Sequence, residues 1–256
     1  MKKLLIAVLL SVCVLFAVSA ETDYVKMLKE VDDLVTFKGT DLSAEYTIVK
    51  RDPDGSSSTT VAAMFRRDSE EKFLVLVLQP VSDKGKGYLK QGNNLWLYDP
   101  IGKGFTFTSA KERFQNSSFR VSDFTGSNYA GNYKISSIKL EKLGKFNCTV
   151  FDLEAVTKSV SFPKVKIWVS EDNLVRKLED YSLSGQLMRT SAFPSYQKVS
   201  NRWVPAKIII QDHLVFRKVG DKTEYERTTV DIKNPSLNKQ PDSLYTKEYL
   251  ERVNTK

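Results

Sequence analysis

Residues 87–100 read Gly-Tyr-Leu-Lys-Gln-Gly-Asn-Asn-Leu-Trp-Leu-Tyr-Asp-Pro, which places a short aromatic run between two turn signals. The run itself, Leu95 to Tyr98, has the composition of a strand. Gly92-Asn93-Asn94 before it and Asp99-Pro100 after it are typical of turns. So much aromatic surface between polar flanks requires either a large core or an apolar ligand, and the rest of the chain has to distinguish the two.

Strand patterns continue on both sides of this run, separated by turns that contain Gly, Asn, Asp or Pro. A helix is predicted before them over Asp23–Thr36, where apolar residues recur every three or four positions, and Gly39 ends it. The predicted strands are Asp41–Lys50, Thr59–Arg66, Lys72–Leu78, Lys86–Lys90, Leu95–Tyr98, Tyr133–Leu140, Asn147–Thr157, Lys164–Ser170, Leu174–Leu183, Gln186–Lys198, Arg202–Ile210 and Thr223–Ile232.

The middle of the chain is less regular. Helical turns are predicted over Ser109–Gln115 and Phe119–Gly126, and a closing helix over Pro241–Val253. Ten or more antiparallel strands with two or three helices favour one strongly curved sheet wrapped around helices over two packed sheets of equal size. We therefore predict a mainly β (α+β) fold.

The N-terminal residues match the three parts of a secretory signal peptide. Lys2-Lys3 precede an apolar run from Leu4 to Val18, which is too short to favour a membrane-spanning helix, and Val18-Ser19-Ala20 fits a cleavage site. We expect cleavage after Ala20, export to the periplasm, and a single domain over residues 21–256. The alternative is a lipid anchor at Cys13, and mass spectrometry of the mature N-terminus distinguishes the two.

The chain is basic, with 39 Lys and Arg against 31 Asp and Glu, and removal of Lys2 and Lys3 leaves a net charge of +6. The basic residues are scattered, as in Arg66-Arg67 and Lys139-Lys142-Lys145, which is typical of a solvated surface. Attraction to an anionic membrane or an acidic partner is the alternative. We expect no nucleic-acid binding, because an arginine-rich stripe is missing.

The residue types needed for catalysis or metal binding are scarce. The chain has one histidine, His213, and one cysteine beyond the signal peptide, Cys148, with no Gly-x-Ser-x-Gly motif to supply a nucleophile. Zinc sites need more His or Cys ligands, and residues 52–55 (Asp-Pro-Asp-Gly) predict a hairpin turn rather than a calcium loop. A carboxylate pair stays open, because any two acids can converge in the fold. We expect a binding protein without enzyme activity, metal or cofactor.

Two predicted strands, Phe73–Leu78 and Leu95–Tyr98, are apolar on both faces. A half-exposed antiparallel strand normally alternates apolar and polar residues. Either both faces are buried, or one face lines an apolar pocket.

A series of landmarks follows a fixed order along the chain. They are Pro80, Lys86-Gly87, Leu89, Gly92, Asn94-Leu95-Trp96-Leu97-Tyr98, Pro100, Phe119, Ser122-Asp123-Phe124, Lys166-Ile167-Trp168-Val169, Arg176-Lys177, Tyr181, Gly185, Leu187, Arg189-Thr190 and Trp203-Val204-Pro205. In this order the sequence resembles the periplasmic outer-membrane lipoprotein-sorting proteins of the LolA/LolB-like superfamily. It departs from them at Val121, where a glycine is usual, so the resemblance does not carry a glycine hinge.

The resemblance implies an unclosed, strongly curved antiparallel half-barrel whose concave face is covered by helices. It also implies a carrier for the acyl chains of lipoproteins or other lipids, which works without covalent chemistry. Its partners would be an inner-membrane exporter and an outer-membrane acceptor, and we expect a monomer. A periplasmic sensor or regulatory module and a surface-exposed adhesin stay open as alternatives.

Eleven apolar residues are candidates for the site, because they lie on the strands and turns where the resemblance places a cavity and its lid. Those expected to line the cavity are Met64, Phe73, Val75, Val77, Trp96, Tyr98, Phe105 and Phe107, and those expected in the lid are Phe114, Phe119 and Phe124. The assignment of each strand residue to a face depends on register, since a shift by one residue exchanges the faces.

Overall fold

The computed structural model describes residues 24–254, so the predicted signal peptide and the alternative lipid anchor at Cys13 lie outside the described residues. The described chain is mostly antiparallel β-sheet, with short helices at three places. Its regular elements are α1 (24–35), β1 (Leu42–Arg51), β2 (Ser57–Arg67), β3 (Lys72–Gln79), β4 (Gly87–Gln91), β5 (Asn94–Asp99), β6 (Gly104–Phe107), α2 (Tyr129–Asn132), β7 (Tyr133–Leu143), β8 (Phe146–Ala155), β9 (Lys164–Ser170), β10 (Val175–Tyr181), β11 (Leu187–Val199), β12 (Arg202–Val219), β13 (Lys222–Ser236) and α3 (Lys247–Val253), with 3-10 turns at Asp68–Glu70, Phe114–Asn116, Val121–Phe124 and Asp242–Tyr245.

All thirteen strands belong to one open sheet, in the order β6-β5-β4-β3-β2-β1-β13-β12-β11-β10-β9-β8-β7. Two meanders, β1 to β6 and β7 to β13, are joined by the pairing of β1 with β13. The last strand of the first meander and the first strand of the second are therefore the two edges of the sheet. The chain between them, residues 108–132, has to cross the whole sheet, and we call it the crossing segment.

The sheet is strongly curved, and its concave face holds most of the core. Alternation along β1 turns Leu42, Tyr46 and Ile48 to this inner face, where all three are buried. The inner face of β1 to β5 and β12 to β13 forms one apolar cluster with the crossing segment, and the inner face of β8 to β10 forms another with α1. The helix and the crossing segment thus cover the concave face.

The C-terminal part of the chain covers the convex face of β3 to β5. Leu244, Tyr245 and Leu250 are buried there against the outward side chains Leu74 and Leu89. α3 begins at Lys247 because the hydroxyl of Thr246 caps it by accepting a hydrogen bond from the Tyr249 N–H. β3 is apolar on both faces because both are covered, the inner face by the crossing segment and the outer face by the C-terminal segment.

The predicted fold class is confirmed, and most predicted strands agree with the observed ones to within a few residues. Five elements differ clearly. Residues 104–107 form the edge strand β6, β12 continues to Val219 rather than ending at Ile210, and the predicted closing helix is a 3-10 turn followed by α3. The helical turn predicted over Ser109–Gln115 is a 3-10 turn at Phe114–Asn116, and α2 is an additional short helix. Within residues 24–254, the chain contains no helix of the length and hydropathy needed to span a membrane.

Gly87 shows how closely the C-terminal segment contacts the sheet. A Cβ at this position would overlap the side chain of Leu250, with Cδ1 at 2.9 Å, and Leu250 is fully buried. We expect Gly87→Ala to lower the free energy of unfolding by about 1–3 kcal/mol, because overpacking a filled core has this effect. Urea denaturation measures it. Gly102→Ala is the control, because a Cβ there meets only Asp99 at 3.7 Å, and an equal loss in both variants would contradict the close contact.

Candidate functional site

Four of the predicted cavity residues form one continuous apolar floor on the inner face. Met64 on β2 lies opposite Val75 on β3, with Phe73 and Val77 on either side of it, and each is at most 1% exposed. Leu95 and Tyr88 extend this floor onto β5 and β4. We call these residues, together with Tyr46 on β1, the apolar floor.

The three predicted lid phenylalanines lie directly on the apolar floor. Phe124 is at the centre, with ring centroids 4.9 Å from both Phe114 and Phe119 and 5.2 Å from Tyr46. Phe114 also contacts Tyr88, at 5.1 Å. All three phenylalanines are fully buried. The floor is therefore occupied by side chains of the protein itself.

The other four predicted cavity residues lie on the convex face. Tyr98 and Phe105 contact each other at 4.7 Å, and the ammonium group of Lys247 lies 4.4 Å from the ring of Trp96. Phe107, which pairs with Trp96, is 75% exposed. Because the side chains of β5 alternate, Leu95 and Leu97 point to the inner face while Trp96 and Tyr98 point away from it. The eight predicted residues consequently do not line one cavity.

The crossing segment has little regular structure of its own and folds back on itself. Phe114 N–H donates to Phe119 C=O at 2.7 Å, and Val121 N–H donates to Glu112 C=O at 3.0 Å. Only the short 3-10 turns and α2 are regular in it. Its position therefore depends on side-chain contacts with the sheet and with α1.

Arg66 on β2 holds the crossing segment and α1 together. Its guanidinium donates to the carbonyl of Phe124 at 3.2 Å and to the carbonyl of Val35, near the end of α1, at 2.7 Å. Its Nε lies 2.7 Å from Asp68. One buried side chain thus satisfies backbone oxygens on the two pieces that cover the concave face.

A second anchor comes from α1. Asp32 accepts hydrogen bonds from the Ser127 hydroxyl at 2.6 Å and from the N–H groups of Tyr129 and Ala130, both at 2.9 Å. Burial raises the pKa of Asp32, although these hydrogen bonds act in the opposite direction. The carboxylate therefore ties the last part of the crossing segment to the helix.

A third set of anchors is ionic and lies over β10 to β13. Arg189 donates to Asp123 of the crossing segment at 2.6 Å and to Asp180 at 2.6 Å. Arg113 of the crossing segment binds Asp212 at 2.7 Å and also Glu226. Burial raises the pKa of Asp180, and the positive charge of Arg189 opposes this shift. The sequence pattern did not point to any of these residues as a group, although Arg189 and Asp123 are landmarks of the resemblance.

The residues considered for catalysis do not assemble into a reactive set. His213 Nε2 lies 2.9 Å from the Thr190 hydroxyl, and its ring contacts Tyr225. Burial lowers the pKa of His213 and raises that of the Cys148 thiol, whose hydrogen-bond acceptor is the Phe146 carbonyl. No group of three or more His, Cys, Asp or Glu suited to a metal ion is present in the part of the chain that the structure describes, residues 24–254.

Three solved structures share this fold. A LolA superfamily protein from Nitrosomonas europaea has a TM-score of 0.72 and 24% identity, over 88% of this chain and 97% of its own. An outer membrane lipoprotein-sorting type of domain from Vibrio parahaemolyticus has a TM-score of 0.76 and 19% identity, over 89% and 98%. A DUF1329 family protein from Desulfovibrio piger has a TM-score of 0.74 and 17% identity, over 91% and 98%.

The chain belongs to the family whose model, described as "uncharacterized protein", matches residues 69–252. None of the curated proteins matches it. At these identities, the similarity to the solved structures establishes the fold.

The contacts of Arg66 predict that this residue limits local opening of the crossing segment. We expect Arg66→Gln to increase the rate of amide hydrogen exchange in the crossing segment at least about tenfold, since two buried carbonyls lose a charged donor. Val121 and Ser122 are suitable reporters, because both donate within the segment. Arg227→Gln, an exposed arginine on β13, is the matched control. Unchanged exchange after Arg66→Gln would show that the segment is held without this residue.

Proposed function

We propose that this protein is a periplasmic carrier that binds acyl chains of lipids or lipoproteins on its apolar floor. The observation that carries the proposal is the way this floor is covered. Phe114, Phe119 and Phe124 fill it from a segment with little regular structure, whose position depends on side-chain contacts with the sheet and with α1. The fold shared with the LolA superfamily supports the same function.

The energies permit an acyl chain to replace the phenylalanines. Burial of one large apolar side chain stabilises by about 1.5–3 kcal/mol, so the three rings contribute roughly 5–9 kcal/mol. An acyl chain gains ~0.8 kcal/mol per buried CH₂, so a chain of ~16 carbons gains on the order of 10 kcal/mol. The apolar contributions of the three rings and of an acyl chain are therefore similar in size, which favours exchange in both directions. The polar contacts of Arg66, Asp32 and Arg189 add to the stability of the closed state.

In this function the crossing segment is the lid. Loading moves Phe114, Phe119 and Phe124 away from the floor, and release lets them return. No bond is made or broken in this transfer. Cargo would come from an inner-membrane exporter and pass to an outer-membrane acceptor, and the monomer suffices for the transfer.

Competition between the lid and the ligand gives a specific prediction. We expect Phe124→Ala to bind a fluorescent fatty-acid probe at least about tenfold more tightly than the wild type, because a weaker lid raises the fraction of open protein. Titration of probe fluorescence measures the affinity. An ordinary core residue would not improve binding when truncated.

Phe105→Ala is the matched control, since Phe105 is an aromatic residue on the convex face. It is expected to lower stability and leave probe affinity unchanged. Absence of probe binding in both the wild type and Phe124→Ala would overturn the proposed function. An equal gain in Phe105→Ala would contradict the assignment of the lid.

A further inference from the structure

We propose that four charged residues beside the apolar floor select amphiphiles whose head group carries both an anion and a protonated amine. They are Asp180, Arg189, Asp212 and Glu226, which we call the charged row. This inference rests on the proposed function, because it concerns the head group of the ligand whose acyl chain the floor would bind.

The charged row crosses four neighbouring strands in register. Asp180 on β10 lies opposite Arg189 on β11, Arg189 lies opposite Asp212 on β12, and Asp212 lies opposite Glu226 on β13. Neighbouring strands are ~4.8 Å apart, so the row is a line of charges at that spacing. All four residues are on the inner face, and none is more than 7% exposed.

The crossing segment places an opposite charge on each part of the row. Asp123 accepts hydrogen bonds from Nη1 and Nη2 of Arg189, at 2.6 and 3.1 Å. Arg113 binds both Asp212 and Glu226. The Ser118 carbonyl accepts from Arg189 at 3.0 Å, and the Ser118 hydroxyl donates to Glu226. The segment thus presents an anion over β11 and a cation over β12 and β13.

These partners leave the row when the lid opens. Arg189 then keeps Asp180 and the ring of Phe162, and Asp212 keeps the N–H groups of Leu214 and Val215. Asp212 and Glu226 both lose their cation. A buried charge without a partner is strongly destabilising, so whatever replaces the lid has to supply charges in the same places or admit water. An anionic group on Arg189 and an amine on Asp212 and Glu226, about 5 Å apart, meet this requirement.

Other head groups meet it only in part. A purely anionic head satisfies Arg189 but leaves two carboxylates, Asp212 and Glu226, beside it. An uncharged head leaves Asp212 and Glu226 without a cation, and Arg189 with Asp180 as its one carboxylate. Arg120, which stacks on Phe162 at 4.7 Å, also belongs to the crossing segment. Because it moves away with the lid, it does not replace the cation that Asp212 and Glu226 lose.

The crossing segment has the layout of such an amphiphile. Asp123 and Phe124 are adjacent in sequence, and one binds Arg189 while the other fills the centre of the apolar floor. Phe119 likewise follows Ser118, which contacts both Arg189 and Glu226. Polar and apolar groups of the lid therefore occupy the positions that a head group and an acyl chain would take.

The test is displacement of a fluorescent fatty-acid probe by lipids with identical short acyl chains. The set is phosphatidylethanolamine, its N-acetyl derivative, phosphatidylglycerol, diacylglycerol and a triacylated lipopeptide with an uncharged peptide. We expect phosphatidylethanolamine to bind about tenfold more tightly than each of the others, since a hydrogen bond between charged groups contributes about that factor. The N-acetyl derivative is decisive, because it keeps the phosphate and loses the amine charge without a change in the protein.

Glu226→Gln tests the residue that would bind the amine. Removal of this charge also weakens the lid, which affects all lipids alike, so the readout is the ratio of affinities for phosphatidylethanolamine and phosphatidylglycerol. We expect the ratio to fall toward one in Glu226→Gln and to stay at the wild-type value in Asp231→Asn. Asp231 is the matched control, because it lies on β13 and pairs with Lys207 on the convex face.

The outcomes separate the two proposals. Probe displacement by all lipids with equal affinity, or tightest binding of the uncharged lipopeptide, would overturn the head-group inference and leave the carrier function in place. Failure of both the wild type and Phe124→Ala to bind the probe would overturn both. If Glu226→Gln does not fold, the comparison of phosphatidylethanolamine with its N-acetyl derivative on the wild type still decides the inference.

Discussion

The connection between the two edges of the sheet is the constraint on which the rest of this structure depends. β6 and β7 follow each other in the chain but lie at opposite ends of a thirteen-stranded open sheet. The chain between them must cross the sheet, and the apolar concave face is where it does so. An apolar face of this size is unstable in water, so the crossing segment has to cover it. Topology thus supplies a cover made of the protein's own chain, which is the lid of the proposed function, and Phe114, Phe119 and Phe124 supply its apolar contacts.

The alternation of side chains along β2 couples this lid to the other face of the sheet. Arg66 points inward and binds the carbonyls of Phe124 and Val35, while Arg67 points outward and binds Asp41 and Asp242. Two neighbouring residues therefore hold the crossing segment on one side and the C-terminal segment on the other. Residues that hold a lid through backbone carbonyls leave its side chains free to form the apolar contacts.

The strands and the fold class can be predicted from the sequence, because period-two alternation and turn residues are local signals. The inner face of β5 cannot be predicted in this way, because Trp96 and Leu95 are both apolar and only the register identifies the residue that points inward. The Arg66-Arg67 pair is typical of surface charge, and nothing local in the sequence shows that it is buried. The charged row could not be predicted either, because Asp180, Arg189, Asp212 and Glu226 meet only through the pairing of four strands.

The central claim is that the crossing segment leaves the apolar floor when an acyl chain binds. The most direct measurement is the distance between two nitroxide labels, introduced by Glu112→Cys and Ser58→Cys in a Cys148→Ser background, by pulsed electron resonance. Both sites are exposed, one on the crossing segment and the other at the start of β2. We expect a saturating acyl lipid to shift the distance distribution to longer values. A bound lipid with an unchanged distribution would contradict it.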